Sequence, residues 1–334
     1  MDSKTSSHAR FSYLLLLSGT AALGGLLFGF DIAIVTGAGP FVKQHFHLNE
    51  LQLGWGYSSL LFGCILGSAV AGRITDLIGR RKILMFVAIL FALTSAGTAL
   101  APDFALFVTA RLLGGLAVGA ASIVSPMYIS EIAPSRLRGR LVTAYQLSIT
   151  IGILISYLIN YLLHGLGSAN WRWMFMTGVI PSAFFLMLLF LVPETPRFLT
   201  KAGREEEAFR VLSKIEGDDN ARGDMARIKT SLEETKGRFR DIWKPGYRKA
   251  LFVGFGLAVL VHTSGINTII DYAPIILMSA GWKINAALFS TFVVGFVNFI
   301  FTLVSFWAID RFGRKPLYLV GSTGMTIALV CLAL

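Results

Sequence analysis

The sequence predicts an all-α protein that crosses a membrane several times. Hydrophobic residues make up 54% of the 334 residues and charged residues only 15%, whereas soluble globular domains carry about 25% charged residues. The apolar residues also lie in long segments, and about 20 consecutive apolar residues span the hydrocarbon core of a bilayer. Together, these observations favour a multi-pass bundle of transmembrane helices.

Nine segments meet this length, the ninth at the end of the chain. Their approximate ranges are 13–38, 52–71, 83–101, 105–127, 141–163, 173–192, 250–278, 286–309 and 316–334. The first is too long for a cleaved signal peptide, and Pro40 and Phe41 follow where a cleavage site needs small residues. We therefore expect it to remain as the first span.

The basic residues indicate the orientation of the chain. The net charge is +11, and the 30 Lys and Arg lie in the N-terminal tail and in the loops after spans two, four, six and eight, with four exceptions. The exceptions are Lys43, Arg172 and Lys283 on the other side, and Arg111 within a span. By the positive-inside rule we expect a cytoplasmic N-terminus in a plasma (cell inner) membrane, in contact with lipid. The excess charge then reflects topology, and no nucleic acid partner is expected.

The sequence has no motif for enzyme or cofactor chemistry. It contains no GxxxxGK[ST] phosphate loop and no cluster of His or Cys at metal-ligand spacing, and its two cysteines, Cys64 and Cys331, lie in predicted spans. We therefore expect no enzyme activity, no cofactor, no metal and no ATP-driven pump.

The chain divides into three parts around a polar linker. We predict an N-terminal bundle of six helices at 1–192, a cytoplasmic linker with short amphipathic helices at 193–249, and a partial C-terminal bundle of helices seven to nine at 250–334. The loop "DLIGRRK" after span two recurs as "DRFGRKP" after span eight, with Gly79 and Gly313 permitting tight turns. A repeat six spans later predicts two parallel halves.

Five motifs in order give the chain a family resemblance. They are "GRITDLIGRRK" at 72–82, "RLLGGLAVG" at 111–119, "EIAPSRLRGR" at 131–140, "PETPRFL" at 193–199 and "DRFGRK" at 310–315. With these, the chain resembles the sugar porters of the major facilitator superfamily (MFS). The resemblance implies the MFS fold, with two halves of six transmembrane helices each. This chain ends in about the ninth helix, so it is either part of a longer polypeptide or a truncated product.

Asp31 is the one charged residue between Arg10 and Lys43, and Arg111 is the one charged residue between Phe104 and Ser130. A charge at the bilayer centre costs roughly 2.5 to 3.5 kcal/mol on insertion scales, so we expect Asp31 to face the interior and to pair with Arg111. The residues alone leave a structural ion pair and a proton site equally open. The resemblance implies that Asp31 is the protonation site and that Arg111 tunes it.

The resemblance also implies a sugar site. Its residues are Phe28 in the first helix, Gln146, Ile149 and Ile153 in the fifth, Asn267 in the seventh and Asn298 in the eighth, and we add His262, Asp271 and Tyr272.

The seventh helix departs from the family pattern. Val261 and His262 stand where the family has two glutamines, and Asp271 and Tyr272 where it has two tyrosines. These changes put glucose-like recognition in doubt. Three readings of His262 and Asp271 stay open: a second proton site, selectivity for a different polyol, and no functional role.

Charged residues on the cytoplasmic loops are expected to form the gate that closes the inner side. They are Asp76, Arg80, Arg81, Glu131, Arg138, Arg140, Glu194, Arg197, Asp310 and Arg314.

The expected function is proton-coupled symport of a monosaccharide or related polyol by alternating access. Alternatives are a truncated or sensor-like relative that does not transport, favoured by the altered seventh helix, and an uncoupled facilitator. The intact loop motifs and the Asp31–Arg111 pair favour symport.

Overall fold

The structure, a computed structural model, describes residues 2–234 and 245–333, except the side chains of residues 2–9, 234, 245–247, 250, 261, 266, 310, 314, 332 and 333. These residues form helices joined by short connections, with no strand in the described ranges. The helices are α1 (Asp2–Phe46), α2 (Glu50–Ile78), α3 (Arg80–Leu100), α4 (Phe104–Ile132), α5 (Arg138–Leu163), α6 (Asn170–Met176), α7 (Val179–Leu191), α8 (Pro196–Lys201), α9 (Glu205–Glu216), α10 (Asp218–Glu234), α11 (Pro245–Thr263), α12 (Ile266–Asp271), α13 (Ala273–Ser279), α14 (Ile284–Phe312) and α15 (Arg314–Ala333).

Seven of the nine predicted spans have the length and hydropathy of a membrane crossing within the described residues. They are Arg10–Phe46, Glu50–Ile78, Arg80–Leu100, Phe104–Ile132, Arg138–Leu163, Asn170–Leu191 and Ile284–Ile309. The predicted seventh span is not one helix but three. Gly265, with a φ of +77°, separates α11 from α12, and Tyr272 separates α12 from α13. The ninth corresponds to a shorter apolar stretch, Lys315–Cys331, in α15.

The sequence explains where several helices begin and end. Asn49 and Gln52 form a capping box at the start of α2, in which each side chain accepts a hydrogen bond from the other residue's backbone amide, at 2.8 and 3.0 Å. Gly79 ends α2 with a φ of +106°, and Gly313 ends α14 with a φ of +79°. Both copies of the repeated loop therefore turn at a glycine that adopts a conformation L side chains rarely take.

Helix α1 lies inside the N-terminal helices and packs against α4, α5, α6 and α7. Polar side chains of α5 bind its backbone: Ser156 Oγ donates to the carbonyl of Phe30 at 2.8 Å, and Asn160 Nδ2 donates to that of Ile34 at 3.2 Å. In lipid, the hydrophobic effect does not drive apolar helices together. Interhelical hydrogen bonds such as these therefore help to hold α1 against α5.

Helices α2 and α4 pack through glycines. A Cβ on Gly63 would collide with the carbonyl oxygen of Leu112, and a Cβ on Gly115 with that of Leu60. Such close backbone contact is typical of small-residue interfaces between membrane helices. The interface holds α4, and with it Arg111, in a fixed position relative to α2.

The contact between α5 and α14 joins the N-terminal helices to the later ones. Tyr157 lies where a Cβ on Gly295 would be, and the rings of Tyr161 and Phe289 lie 5.5 Å apart. The interface thus has an aromatic side chain of α5 seated against a glycine of α14. The division of the chain into the three predicted domains stays a prediction.

Three short helices, α8 to α10, lie within the range of the predicted linker. Ala208, Leu212 and Ile215 of α9 are buried. At the end of α9, partial burial and, to a smaller extent, the nearby Asp224 carboxylate together raise the pKa of Glu216 from 4.5 to about 7. This group therefore changes charge near neutral pH.

The α2–α4 contact predicts that the stability of the protein depends on Gly63 of α2 and not on Gly72 of the same helix. Gly63→Ala should lower the free energy of unfolding by about 1 to 3 kcal/mol, because its methyl group overpacks the interface. Gly72 has no atom within 4 Å of an added Cβ, so Gly72→Ala should be neutral or gain up to about 1 kcal/mol. Thermal unfolding in detergent measures both, and equal effects would contradict the close contact.

The Glu216 environment predicts a pH-dependent stability. Since the folded-state pKa lies above the ordinary value, its contribution to stability is complete below about pH 4.5 and is lost as the pH rises through about 7. Glu216→Gln should therefore match the wild type at pH 4.5 and be more stable at pH 8, by about 1 kcal/mol after solvent screening. Glu206→Gln, at an exposed position of α9, is the control. A stability difference between Glu216→Gln and the wild type that did not change with pH would contradict this prediction.

Candidate functional site

The structure pairs Asp31 of α1 with Arg111 of α4, as the sequence predicts. Arg111 Nη1 contacts Asp31 Oδ1, and Nη1 and Nη2 also reach the Asp31 backbone carbonyl at 3.4 and 3.3 Å. The side chains are only 8% and 2% exposed. In such a buried pair, removal of either partner leaves an uncompensated charge, which is strongly destabilising.

Small and aromatic residues surround the pair. A Cβ on Gly114 would lie 3.6 Å from Asp31 Oδ2 and 3.2 Å from Thr94 Oγ1, so the glycine leaves room beside the carboxylate. On the other side, the Arg111 guanidinium lies 5.5 Å from the centre of the Phe175 ring, which packs edge-to-face on Phe107. The guanidinium of Arg111 therefore contacts the carboxylate of Asp31 and lies over the aromatic ring of Phe175.

The predicted sugar contacts of α1 and α5 differ in exposure. Gln146 is exposed, whereas Phe28, Ile149 and Ile153 are half-buried. A Cβ on Gly29 would collide with the backbone of Ile149, so Phe28 and Ile149 lie on adjoining parts of two tightly packed helices. The structure thus brings apolar wall positions together and leaves the Gln146 amide accessible.

The break in the seventh segment orients its polar residues. Gly265 begins α12, and across the break Asn267 Nδ2 lies 3.1 Å from His262 Nδ1. Since the amide nitrogen donates, this hydrogen bond requires the neutral histidine to carry its proton on Nε2. His262, Asn267 and Asn298 are exposed, so their remaining hydrogen-bonding groups are accessible.

Asp271 and Tyr272 close the other end of α12. Tyr272 stacks on Tyr57 of α2, with ring centres 4.8 Å apart and planes at 16°. Asp271 is half-buried. The sequence analysis did not identify Tyr57. The one feature that could have indicated it is the position of this tyrosine between small residues in span two.

Five of the predicted gate residues form one cluster at the cytoplasmic end. Arg80 binds Asp76 and Glu131, both at 2.9 Å. Glu194 accepts hydrogen bonds from the backbone amides of Arg80 at 3.0 Å and of Arg81 at 3.1 Å. The cluster therefore fastens the loop between α2 and α3 to the end of α4 and to the segment before α8.

Two further residues, which sequence reasoning missed, belong to this cluster. Thr195 Oγ1 donates to Glu131 at 2.6 Å, and Lys201 Nζ pairs with Asp76 at 3.2 Å. Thr195 lies in the "PETPRFL" motif, and Lys201 is the last residue of α8, which begins in that motif. Their nearness to the motif was the sequence signal that could have identified them.

The other predicted gate residues lie apart from the cluster. Arg138, Arg140 and Arg197 form no ion pair with the described residues. Arg138 and Arg197 line a cleft of about 320 Å³ with Glu131, and Arg140 lies in a groove between α5 and α14. The side chains of Asp310 and Arg314 fall outside the described residues.

Comparison with known proteins decides the family. Residues 17–334 match the family model described as "Sugar (and other) transporter". The chain belongs to this family. It is therefore a multi-pass membrane protein of a transporter family, not an enzyme, and it has the MFS fold that the sequence predicts.

Relatives of the chain include proteins named as sugar-proton symporters. It is 39% identical over 333 residues to the arabinose-proton symporter of Bacillus subtilis, covering 98% of this chain and 72% of the relative. It is 36% identical over 359 residues to the D-xylose-proton symporter of Escherichia coli, covering 96% and 72%.

The fold is also similar to a solved structure. The MFS proton:xylose symporter XylE bound to 6-bromo-6-deoxy-D-glucose aligns with a TM-score of 0.80 and 36% identity, over 92% of this chain and 71% of that one. This similarity confirms the predicted fold class.

Proposed function

We propose that this chain carries out proton-coupled symport of a monosaccharide or related polyol by alternating access. The observation that carries the proposal is the Asp31–Arg111 pair, a carboxylate and a guanidinium buried together where a membrane protein must compensate every charge. An uncoupled facilitator needs no titratable group at this place. Relatives that are proton symporters for arabinose and xylose support the same conclusion.

The proton step follows from the chemistry of the pair. While Arg111 contacts the carboxylate, the ionised form of Asp31 is favoured. When a rearrangement of the helices withdraws Arg111, the isolated buried carboxylate takes up a proton, which is released again when the pair re-forms. Gly114 leaves space beside Asp31 Oδ2 for this exchange.

Neutral hydrogen-bonding groups bind the substrate in this proposal. Gln146 of α5, Asn267 of α12 and Asn298 of α14 present amide groups, all on exposed side chains. Phe28, Ile149 and Ile153 supply apolar surface. Millimolar affinity corresponds to only about 4 kcal/mol, which a few such contacts provide.

The altered seventh segment bears on selectivity. The hydrogen bond to His262 engages one amide hydrogen of Asn267 and fixes its orientation, and Asp271 replaces the O–H donor of a tyrosine with a carboxylate acceptor. A carboxylate only accepts hydrogen bonds, so a substrate hydroxyl must donate to it, and these features favour a substrate that differs from glucose in its hydroxyl pattern. We place the protein in the plasma membrane with a cytoplasmic N-terminus, an orientation that the basic loops support.

The cytoplasmic cluster is proposed as part of the inner gate. Arg80, Glu131 and Thr195 tie the loop between α2 and α3 to α4 and the start of the linker. Single exposed pairs contribute about 0 to 1 kcal/mol, but a network biases a two-state equilibrium by more.

Replacing the proton-binding group tests the proposal. Asp31→Asn should abolish accumulation of substrate against a gradient and retain counterflow exchange, which needs no net proton movement. The measurement uses a panel of labelled sugars and polyols, including L-arabinose and D-xylose, in energised and de-energised vesicles. Asp219→Asn, at an exposed linker position, is the matched control. Accumulation that persists in Asp31→Asn would contradict proton symport.

Neutralising the centre of the cytoplasmic cluster tests the gate. Glu131→Gln should favour the inward-open state, because the ion pair with Arg80 is lost. Thr143 lines the groove between α5 and α14 that also holds Arg140. Labelling of Thr143→Cys, in a background of Cys64→Ser and Cys331→Ser, by an inner-face thiol reagent should accelerate about fivefold, equivalent to about 1 kcal/mol. Glu206→Gln serves as the control, and an unchanged labelling rate would show that Glu131 does not act in the gate.

A further inference from the structure

Two threonine hydroxyls meet where α5 packs on α14. Thr150 Oγ1 of α5 lies 3.4 Å from Thr302 Oγ1 of α14, and we call these two residues the threonine pair. Further along α5, Tyr157 is seated against Gly295, which comes earlier in α14. Because the residue numbers rise in one helix while they fall in the other, the two helices run antiparallel and keep one register through both contacts.

Each hydroxyl also contacts a backbone carbonyl one turn earlier in its own helix. Thr150 Oγ1 lies 3.2 Å from the carbonyl oxygen of Gln146, and Thr302 Oγ1 lies 2.8 Å from that of Asn298. Two hydroxyls supply only two hydrogens for these two carbonyls and for the contact between the hydroxyls. The hydrogen bond across the interface therefore forms when one hydroxyl turns away from its own helix.

Thr150 is the donor that changes partner most easily, because its local hydrogen bond is the longer of the two. Its side chain is buried, with only 2% exposed. When the helices separate, the hydroxyl returns to the carbonyl of Gln146, so the buried group keeps a partner in either arrangement. The threonine pair is thus a polar contact that forms and breaks at little cost.

The two carbonyls belong to residues of the predicted substrate site. Gln146 lies one turn before Thr150 and Asn298 one turn before Thr302, and in antiparallel helices these two turns extend in opposite directions. Four residues on each side of the threonine pair correspond to a separation of about 12 Å along the helix axes. Any slip of α14 along α5 changes this separation directly.

The rest of the interface does not fix the register as the threonine pair does. On one side, Thr143, Leu147 and Phe306 line a groove of about 640 Å³ between the same helices. On the other side, the ring of Tyr157 meets Gly295 in an apolar contact without a preferred hydrogen-bond direction. The contact of 3.4 Å within the pair exceeds the usual O–H···O length of about 2.5–3.0 Å, so it strengthens as α14 approaches α5.

We propose that Thr150 and Thr302 are positioning residues of the substrate site, which fix the register of α5 against α14 and thereby the separation of the Gln146 and Asn298 amides. The inference rests on the proposed function, in which these two amides bind the substrate. The threonine pair then aligns one binding group from each half of the protein when the halves close on the substrate.

Exchange of labelled D-xylose and L-arabinose by the full-length protein in vesicles tests this role. Thr150→Val keeps the shape of the side chain and removes the hydroxyl. It should raise KM about threefold and leave the maximal exchange rate unchanged, because one hydrogen bond that orients the bound groups is lost. Thr150→Ser should restore the wild-type KM.

A second variant and a matched control separate positioning from general destabilisation. Thr302→Val should raise KM as much as Thr150→Val, and the double variant no further, because both changes remove one shared contact. Thr109 of α4 is exposed, and its hydroxyl also donates to a carbonyl one turn earlier, at 2.8 Å, so Thr109→Val should keep the wild-type KM. An unchanged KM in Thr150→Val, or single effects that multiply in the double variant, would overturn the inference.

A distance measurement tests the register without any substrate. Spin labels at Gln146→Cys and Asn298→Cys, in a full-length background without native cysteines, report their separation by double electron–electron resonance. Thr150→Val should shift or broaden the distance distribution, and Thr109→Val should not. Identical distributions with and without Thr150→Val overturn the inference. If the wild type exchanges no sugar or polyol of the panel, the proposed function fails, and this measurement still decides whether the threonine pair sets the register.

Discussion

The burial of one ion pair, Asp31 with Arg111, constrains the rest of this structure. Two charges that are removed from water require contact with each other and a fixed surrounding, because misplacement of either leaves an uncompensated charge. The close glycine packing of α2 against α4 holds Arg111 in place, and the hydrogen bonds from Ser156 and Asn160 hold α1. Gly114 lies beside the carboxylate of Asp31. Because this residue has no side chain, it leaves space next to Asp31 Oδ2 for proton exchange.

The later helices relate to this centre through contacts of a different kind. Helix α14 packs on α5 through Tyr157 and Gly295, and the seventh segment reaches α2 through the stacked rings of Tyr57 and Tyr272. Neither contact involves a charged group. A charged centre in one half and uncharged contacts between the halves are consistent with alternating access.

Much of the fold could be predicted from the sequence because membrane spans follow from length and hydropathy alone. The Asp31–Arg111 pair could also be predicted, since each residue is the one charge in its span. The break of the seventh span at Gly265 could not, because a glycine in an apolar segment permits a left-handed turn without requiring it. Periodicity also does not reveal long-range contacts such as Tyr57 with Tyr272, or Thr195 with Glu131. Arg138, Arg140 and Arg197 show the converse, since their sequence motif does not say which charges meet in one conformation.

The central claim is that Asp31 changes its protonation state when the protein binds its substrate. The most direct test is the uptake of protons by purified protein in weakly buffered detergent solution, measured with a pH indicator while D-xylose, L-arabinose or another ligand from the panel is added. The account predicts pH-dependent proton uptake on ligand binding in the wild type and none in Asp31→Asn. Ligand binding that leaves the proton count unchanged at every pH, or identical uptake by both proteins, would contradict it.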